Sequence, residues 1–191
     1  MSRSPQRRPI IELGHPTLRQ NAAPIGNIAD DHIQELADDL LYTCSAEGAM
    51  GIAAPQIGEP LRMFILASKP CGAYPQAPIV KPVVVINPAI VKMGRFTESA
   101  YEGCLSIPGY RAKVFRPTKI TVRYQLRDGS SVNSDMDGFL ARVFQHEYDH
   151  LGGKLFIDIM ERNTLISQRE YDRQAAEALR SKSNSPAHVS A

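Results

Sequence analysis

Two histidines stand four residues apart in FQHEYDHLGG, at 144–153, with a glutamate directly after the first. On a helix, His146 and His150 lie one turn apart on one face, so both imidazoles can reach a single ion. Glu147 is rotated about 100° from His146. That puts it beside such an ion rather than on it, where a carboxylate can take a proton from an activated water. Phe139 and Val143 fall on the same stripe as the histidines and give the face an apolar floor. The pattern points to hydrolysis, although the same residues on a solvated helix face would carry no chemistry.

A catalytic site of this kind takes three protein ligands and leaves one position open. The third ligand has several candidates. In one HExxH class a later histidine completes HExxHxxGxxH; here Gly153 matches the glycine, but the last position is Phe156, which cannot bind metal. In another class a following helix supplies a glutamate, and Glu170 stands 20 residues past His150. Its surroundings, SQREYDRQ, read equally well as a charged helix surface. Cys104 lies 42 residues before His146, in YEGCLSIPGY. Gly103 lets backbone approach closely there, and Pro108 with Gly109 turns the chain away. A thiolate ligand would favour soft or borderline metals over Mg²⁺ or Ca²⁺.

These residues need elements to position them. Apolar residues at Ile33, Leu36, Ala37, Leu40, Leu41 and Cys44 predict an amphipathic helix over 27–46, with Cys44 as a buried core thiol. PTLRQNAAPI, before it, reads as a short helix. The period then changes. LRMFILAS (61–68) and PVVVINPAIV (82–91) read as strands, joined by a Pro/Gly loop in which Cys71 is an exposed thiol. AKVFRP, KITVRYQL and SVNSDM continue the β pattern, with a hairpin turn at RDGS, 127–130. The helical period returns over 137–151, and a charged helix is expected over 161–180. The class is therefore α+β, with antiparallel or mixed sheets around a central HExxH helix and one helix at either end.

Length and composition agree with a single domain. The chain has 191 residues, 43% hydrophobic and 22% charged, with a formal net charge of +2. That charge is too small to argue for nucleic acid or an anionic membrane. No run approaches the roughly 20 apolar residues of a membrane span. Residues 1–9, MSRSPQRRP, read as a flexible basic arm with no apolar stretch behind it, unlike a secretory signal. Residues 10–180 form the expected domain, and the polar 181–191 a disordered tail. Three cysteines cannot all pair, which points to a reducing, cytoplasmic compartment.

Three separated blocks together resemble the peptide deformylase family. Its motif of glycine, apolar, glycine, apolar, Ala, Ala, any, Gln stands here as AMGIAAPQ (49–56); EGCLS stands at 102–106, and QHEYDH at 145–150. The similarity runs from about residue 10 to residue 160. One departure is Ala49 in place of the family's first glycine, where a methyl would either strain a positive-φ backbone or narrow the site. The resemblance implies removal of the formyl group from N-terminal formyl-methionine, with nascent chains as partners and transient contact with the ribosome. It implies a cytoplasmic setting of bacterial type, an organelle being the alternative. Cys104, His146 and His150 would bind one divalent metal, typically Fe²⁺, with Zn²⁺, Ni²⁺ or Co²⁺ as substitutes. Glu147 would act as general base and then acid. The Gln56 amide and the Leu105 N–H would stabilise the oxyanion, and Gly51 would hydrogen-bond the peptide backbone. Met50, Phe139 and Val143 would line the pocket for the methionine side chain, with Arg142 at its mouth. Arg111 and Arg116 would either contact the peptide or pair with Glu102, and Asp149 would support a ligand histidine or simply sit on the surface.

Overall fold

The computed structural model describes residues 3–70 and 75–183. Its first long element, α1 (Asp31–Ala46), is capped by the Asp30 carboxylate, which accepts from the His32 N–H at 2.9 Å. Of the predicted stripe, Ile33, Leu36, Ala37, Leu40 and Cys44 are buried and Leu41 is partly buried. Gly48, at φ +62°, closes the helix: Ala49 N–H reaches back to the Cys44 carbonyl at 3.0 Å.

Five antiparallel strands follow in one sheet, ordered β1 (Gly51–Ala53), β2 (Met63–Ser68), β3 (Val80–Met93), β6 (Lys119–Gln125) and β7 (Ser131–Asp137). A smaller sheet joins β4 (Thr97–Cys104), β5 (Ile107–Pro117) and the short β8 (Ile166–Ser167). The central helix α2 (Gly138–Leu151) carries His146, Glu147 and His150 and packs against strands of both sheets. The last helix, α3 (Gln168–Ser183), follows β8 directly.

Strand β2 explains the layering. Its side chains alternate, so Met63 and Ile65 join the core beneath α1, while Phe64 and Leu66 join the core beneath α2. Both faces are covered, and all six residues are buried. The Phe64 ring meets Phe144 of α2 edge-on, centroids 5.1 Å apart, which seats the helix. A third cluster, including Ile107, Val114, Leu155 and Phe156, lies under the small sheet.

Several expectations are corrected. The arm is tied down from Arg3 onward: Arg3 and Arg8 both reach the fully buried Asp39 carboxylate on α1, and Arg7 pairs with Glu47. A buried carboxylate needs such partners, so the basic arm packs where a flexible one was expected. PTLRQNAAPI forms only a 3-10 turn, Pro16–Arg19. The final helix starts seven residues later than expected, at Gln168, because Ile166 and Ser167 pair with Arg111 and Tyr110 of β5. It runs to Ser183, past the expected start of the tail; residues 184–191 and Cys71 lie outside the described residues. No helix among the described residues is long and apolar enough to cross a membrane.

Candidate active site

The α2 helix and the β4–β5 turn converge on one point. Cys104 ends β4, and its sulfur lies 3.3 Å from His150 Nε2. Ligand atoms of Cys104, His146 and His150 all fall within 4.8 Å of one another, the one such group of three among the described residues. The His146 and His150 rings stand nearly perpendicular, 5.2 Å apart. A thiol and two imidazoles at this separation could hold one borderline divalent ion, and the donor set fits no hard cation. Of the third-ligand candidates that the sequence left open, Cys104 is the one that lies with both histidines. Glu170 is not: its carboxylate is engaged by Arg173 and Gln174 on its own helix. Phe156, where another class has a histidine, stacks on the His146 ring instead.

Each imidazole has a distinct setting. His146 Nδ1 donates to Glu102 Oε2 at 2.9 Å, which leaves Nε2 as the nitrogen that could bind an ion on losing its proton. Burial alone would lower the His146 pKa, but hydrogen bonds to Cys104 and Glu102 outweigh it and raise it well above the ordinary histidine range. His150 moves the other way, held low by burial and by the charges of His146 and Arg116. Its Nδ1 is buried with no hydrogen-bond partner among the described residues.

Glu102 anchors this arrangement. It is 5% exposed, yet it accepts from Arg116 Nε and Nη2 and from Arg142 Nη1 at 2.9–3.0 Å, besides His146. Burial would raise its pKa, but His146 and Arg116 keep it well below the usual carboxylate range. Of the two roles open to Asp149, the histidine partner is taken by Glu102, while Asp149 pairs with Arg116. Arg142, expected at the pocket mouth, does line the cleft but is buried, with its guanidinium on Glu102 and on the Val114 and Glu98 carbonyls. Arg116 pairs with Glu102; Arg111 does not.

Glu147 sits against β1. A Cβ built on Gly51 would lie 2.5 Å from Glu147 Oε1, so only glycine lets the carboxylate pack there. Burial raises the Glu147 pKa to about 7, with Glu102 adding to it and His146 and Arg116 opposing. Its Oε2 has no hydrogen-bond partner among the described residues.

Gln56 has its amide fixed. Oε1 accepts from Ala53 N–H at 2.8 Å, so Nε2 is turned toward Cys104 Sγ at 3.4 Å and Ser106 Oγ at 3.3 Å. The oxygen is occupied by backbone, which leaves the donor as the end that faces the site.

A cleft of about 390 Å³ opens over these groups. Its wall includes Gln56, Cys104, Leu105, His146 and Glu147, and further along Met50, Gly51, Phe139, Val143 and Arg111. The expected catalytic and pocket residues are thus brought together around one space; His150 is buried outside its wall. Ala49 also lines it and needs no left-handed backbone, since the positive φ belongs to Gly48. Its methyl narrows the cleft without strain. Sequence reasoning missed several wall residues, among them Lys69 and Gln168, which belong to none of the three motif blocks.

Residues 7–165 match the family model described as polypeptide deformylase. Among curated relatives, peptide deformylase 2 of a Nostoc species is 47% identical over 169 residues, covering 88% of this chain and 94% of that one. A class I type b peptide deformylase from Acinetobacter baumannii, solved with Met-Ala-Ser bound, superposes with a TM-score of 0.79 at 36% identity, over 84% of this chain and 100% of that one. A peptide deformylase from Synechococcus elongatus, solved with actinonin, gives 0.72 at 32% identity, over 97% of this chain and 90% of that one.

Proposed function

The chain belongs to the polypeptide deformylase family, and from that premise we propose the residues that carry the reaction and the ion they hold. The reaction itself is hydrolytic removal of the formyl group from the N-terminal formyl-methionine of new polypeptides, with release of formate. The family is metal-dependent. In our reading Cys104, His146 and His150 hold one divalent ion per chain, Fe²⁺ in the native protein. Zn²⁺, Ni²⁺ or Co²⁺ would substitute, as the mixed sulfur and nitrogen donor set allows. When bound, the ion supplies a Lewis acid that makes water acidic enough to attack an amide at neutral pH.

The protein residues do the rest. Glu147 accepts the proton of the attacking water at its carboxylate and returns it to the departing amine nitrogen. The Gln56 Nε2 donor and the Leu105 N–H hold the negative charge that develops on the formyl oxygen, each such donor being worth about 3–4 kcal/mol. The fixed Gln56 amide supports this role, because a donor that need not reorient costs nothing at the moment of reaction. Gly51 bonds the peptide backbone, and Met50, Phe139 and Val143 receive the methionine side chain. Arg111, with no carboxylate partner among the described residues, contacts the peptide further along.

Nascent chains arise in translation, so the reaction belongs in the cytoplasm, with transient access to the ribosome. One observation carries the reading: the Gln56 donor and the Cys104 sulfur face each other at 3.4 Å beside the two histidines. The test is formate release from formyl-Met-Ala-Ser by the metal-loaded protein. Turnover that disappears in Glu147→Ala while bound metal persists supports the assignment; unchanged turnover in that variant overturns it.

A further inference from the structure

The arginines around this site are treated unequally. Arg116 and Arg142 are buried on the Glu102 carboxylate. Arg111 makes no ion pair with any described residue, yet its side chain is held firmly. It lies flat across Gly103, the residue before Cys104: a Cβ built there would come within 3.3 Å of its Cζ and Nη1. Its Nε donates to Gln168 Oε1 at 2.6 Å, and its guanidinium carbon stands 4.8 Å from the centre of the Tyr171 ring. Both partners come from α3. Arg111 Nη1 and Nη2 have no hydrogen-bond partner among the described residues.

We infer that α3 is part of the substrate site, with Gln168 and Tyr171 acting as positioning residues that hold Arg111 over the cleft for the peptide beyond formyl-methionine. The inference rests on the reading that Arg111 contacts the peptide. Backbone pairing of Tyr110 with Ser167 and of Arg111 with Ile166 pins the start of α3 to β5, which brings Gln168 into the cleft wall. Tyr171, three residues on, falls on the same helix face. Its ring is wedged between Arg111 and Tyr101, which it meets edge-on at 5.1 Å. Both supports are neutral. A carboxylate in place of Gln168 would pair with the guanidinium; an amide oxygen and an aromatic face fix its orientation and leave its charge uncompensated. The two terminal nitrogens then form a fork suited to a peptide carbonyl or carboxylate. An arginine already ordered loses less rotamer freedom on binding, so the benefit falls on affinity and not on the attack at the formyl carbon.

The test measures kcat and KM for formyl-Met-Ala-Ser and for formyl-methionine amide in the full-length, metal-loaded protein. Gln168→Ala and Tyr171→Ala are expected to raise KM for the tripeptide about threefold to tenfold, with a smaller rise for the short amide and the effect falling on KM rather than kcat. Tyr171→Phe keeps the ring and should restore the native KM. Adding Gln168→Ala to Arg111→Ala should raise KM no further, an outcome that general loosening of α3 would not give. An equal rise in the Arg111→Ala background overturns the inference. So does a native KM in both Gln168→Ala and Tyr171→Ala while Arg111→Ala raises it, which leaves the role of Arg111 intact. A native KM in Arg111→Ala overturns the peptide contact itself and the inference with it. Should Tyr171→Ala fail to fold, Gln168→Ala and its pairing with Arg111→Ala still decide.

Discussion

Glu102 Oε2 lies 2.9 Å from His146 Nδ1, and the same carboxylate receives Arg116 and Arg142. A charge on β4 thereby sets the tautomer of an imidazole on α2, and two arginines offset the cost of burying that charge. Glu102→Gln removes the charge but keeps the shape. Metal affinity should fall about 10-fold to 100-fold, as for other outer partners of ligand histidines, measured by competition with a chelator. Glu102→Ala leaves two buried arginines without it and should cost about 3–5 kcal/mol of stability in urea unfolding.

Gly51 and Glu147 touch with no room for a methyl. Gly51→Ala should displace the carboxylate and lower kcat/KM by about two orders of magnitude, as a 1 Å misplacement can. Bound metal should stay at the native level, because none of the three candidate ligands moves. Elemental analysis beside a formate assay checks both halves.

Asp39 links the arm to α1. Burial would raise its pKa, but hydrogen bonds from Arg3, the Gln6 N–H and Arg8 prevail and hold it below the ordinary aspartate value. A carboxyl whose folded pKa is depressed stabilises the protein above its unfolded pKa, about 3.9, and loses that contribution as pH falls through the folded value. Asp39→Asn should therefore destabilise by roughly 1–3 kcal/mol at neutral pH, both arginines being partly exposed. The gap to the native protein should close as pH drops below about 4, in unfolding curves taken across that range.

The helix period, the β-branched runs and the HExxH spacing were legible because each depends on neighbours in sequence. Cys44 and the α1 stripe could be placed on that basis. Glu102 could not, since its partners come from β5 and α2 and are set by cross-strand register. Arg111 and Arg116 looked alike for the same reason: only the fold turns Arg116 onto Glu102 and Arg111 toward α3. One missed boundary was readable. Ser167 and Glu170 form the Ser-x-x-Glu signature of a helix start, and the Ser167 hydroxyl accepts from the Glu170 N–H at 3.2 Å. The arm was misjudged because a run of arginines looks solvated until a buried carboxylate is found opposite it.

X-ray absorption on the zinc-loaded protein tests the central claim, that Cys104, His146 and His150 grip one ion. The account predicts a first shell with one sulfur at about 2.3 Å and two nitrogens at about 2.0–2.1 Å, the sulfur vanishing in Cys104→Ala. A shell of nitrogen and oxygen alone in the native protein would contradict it.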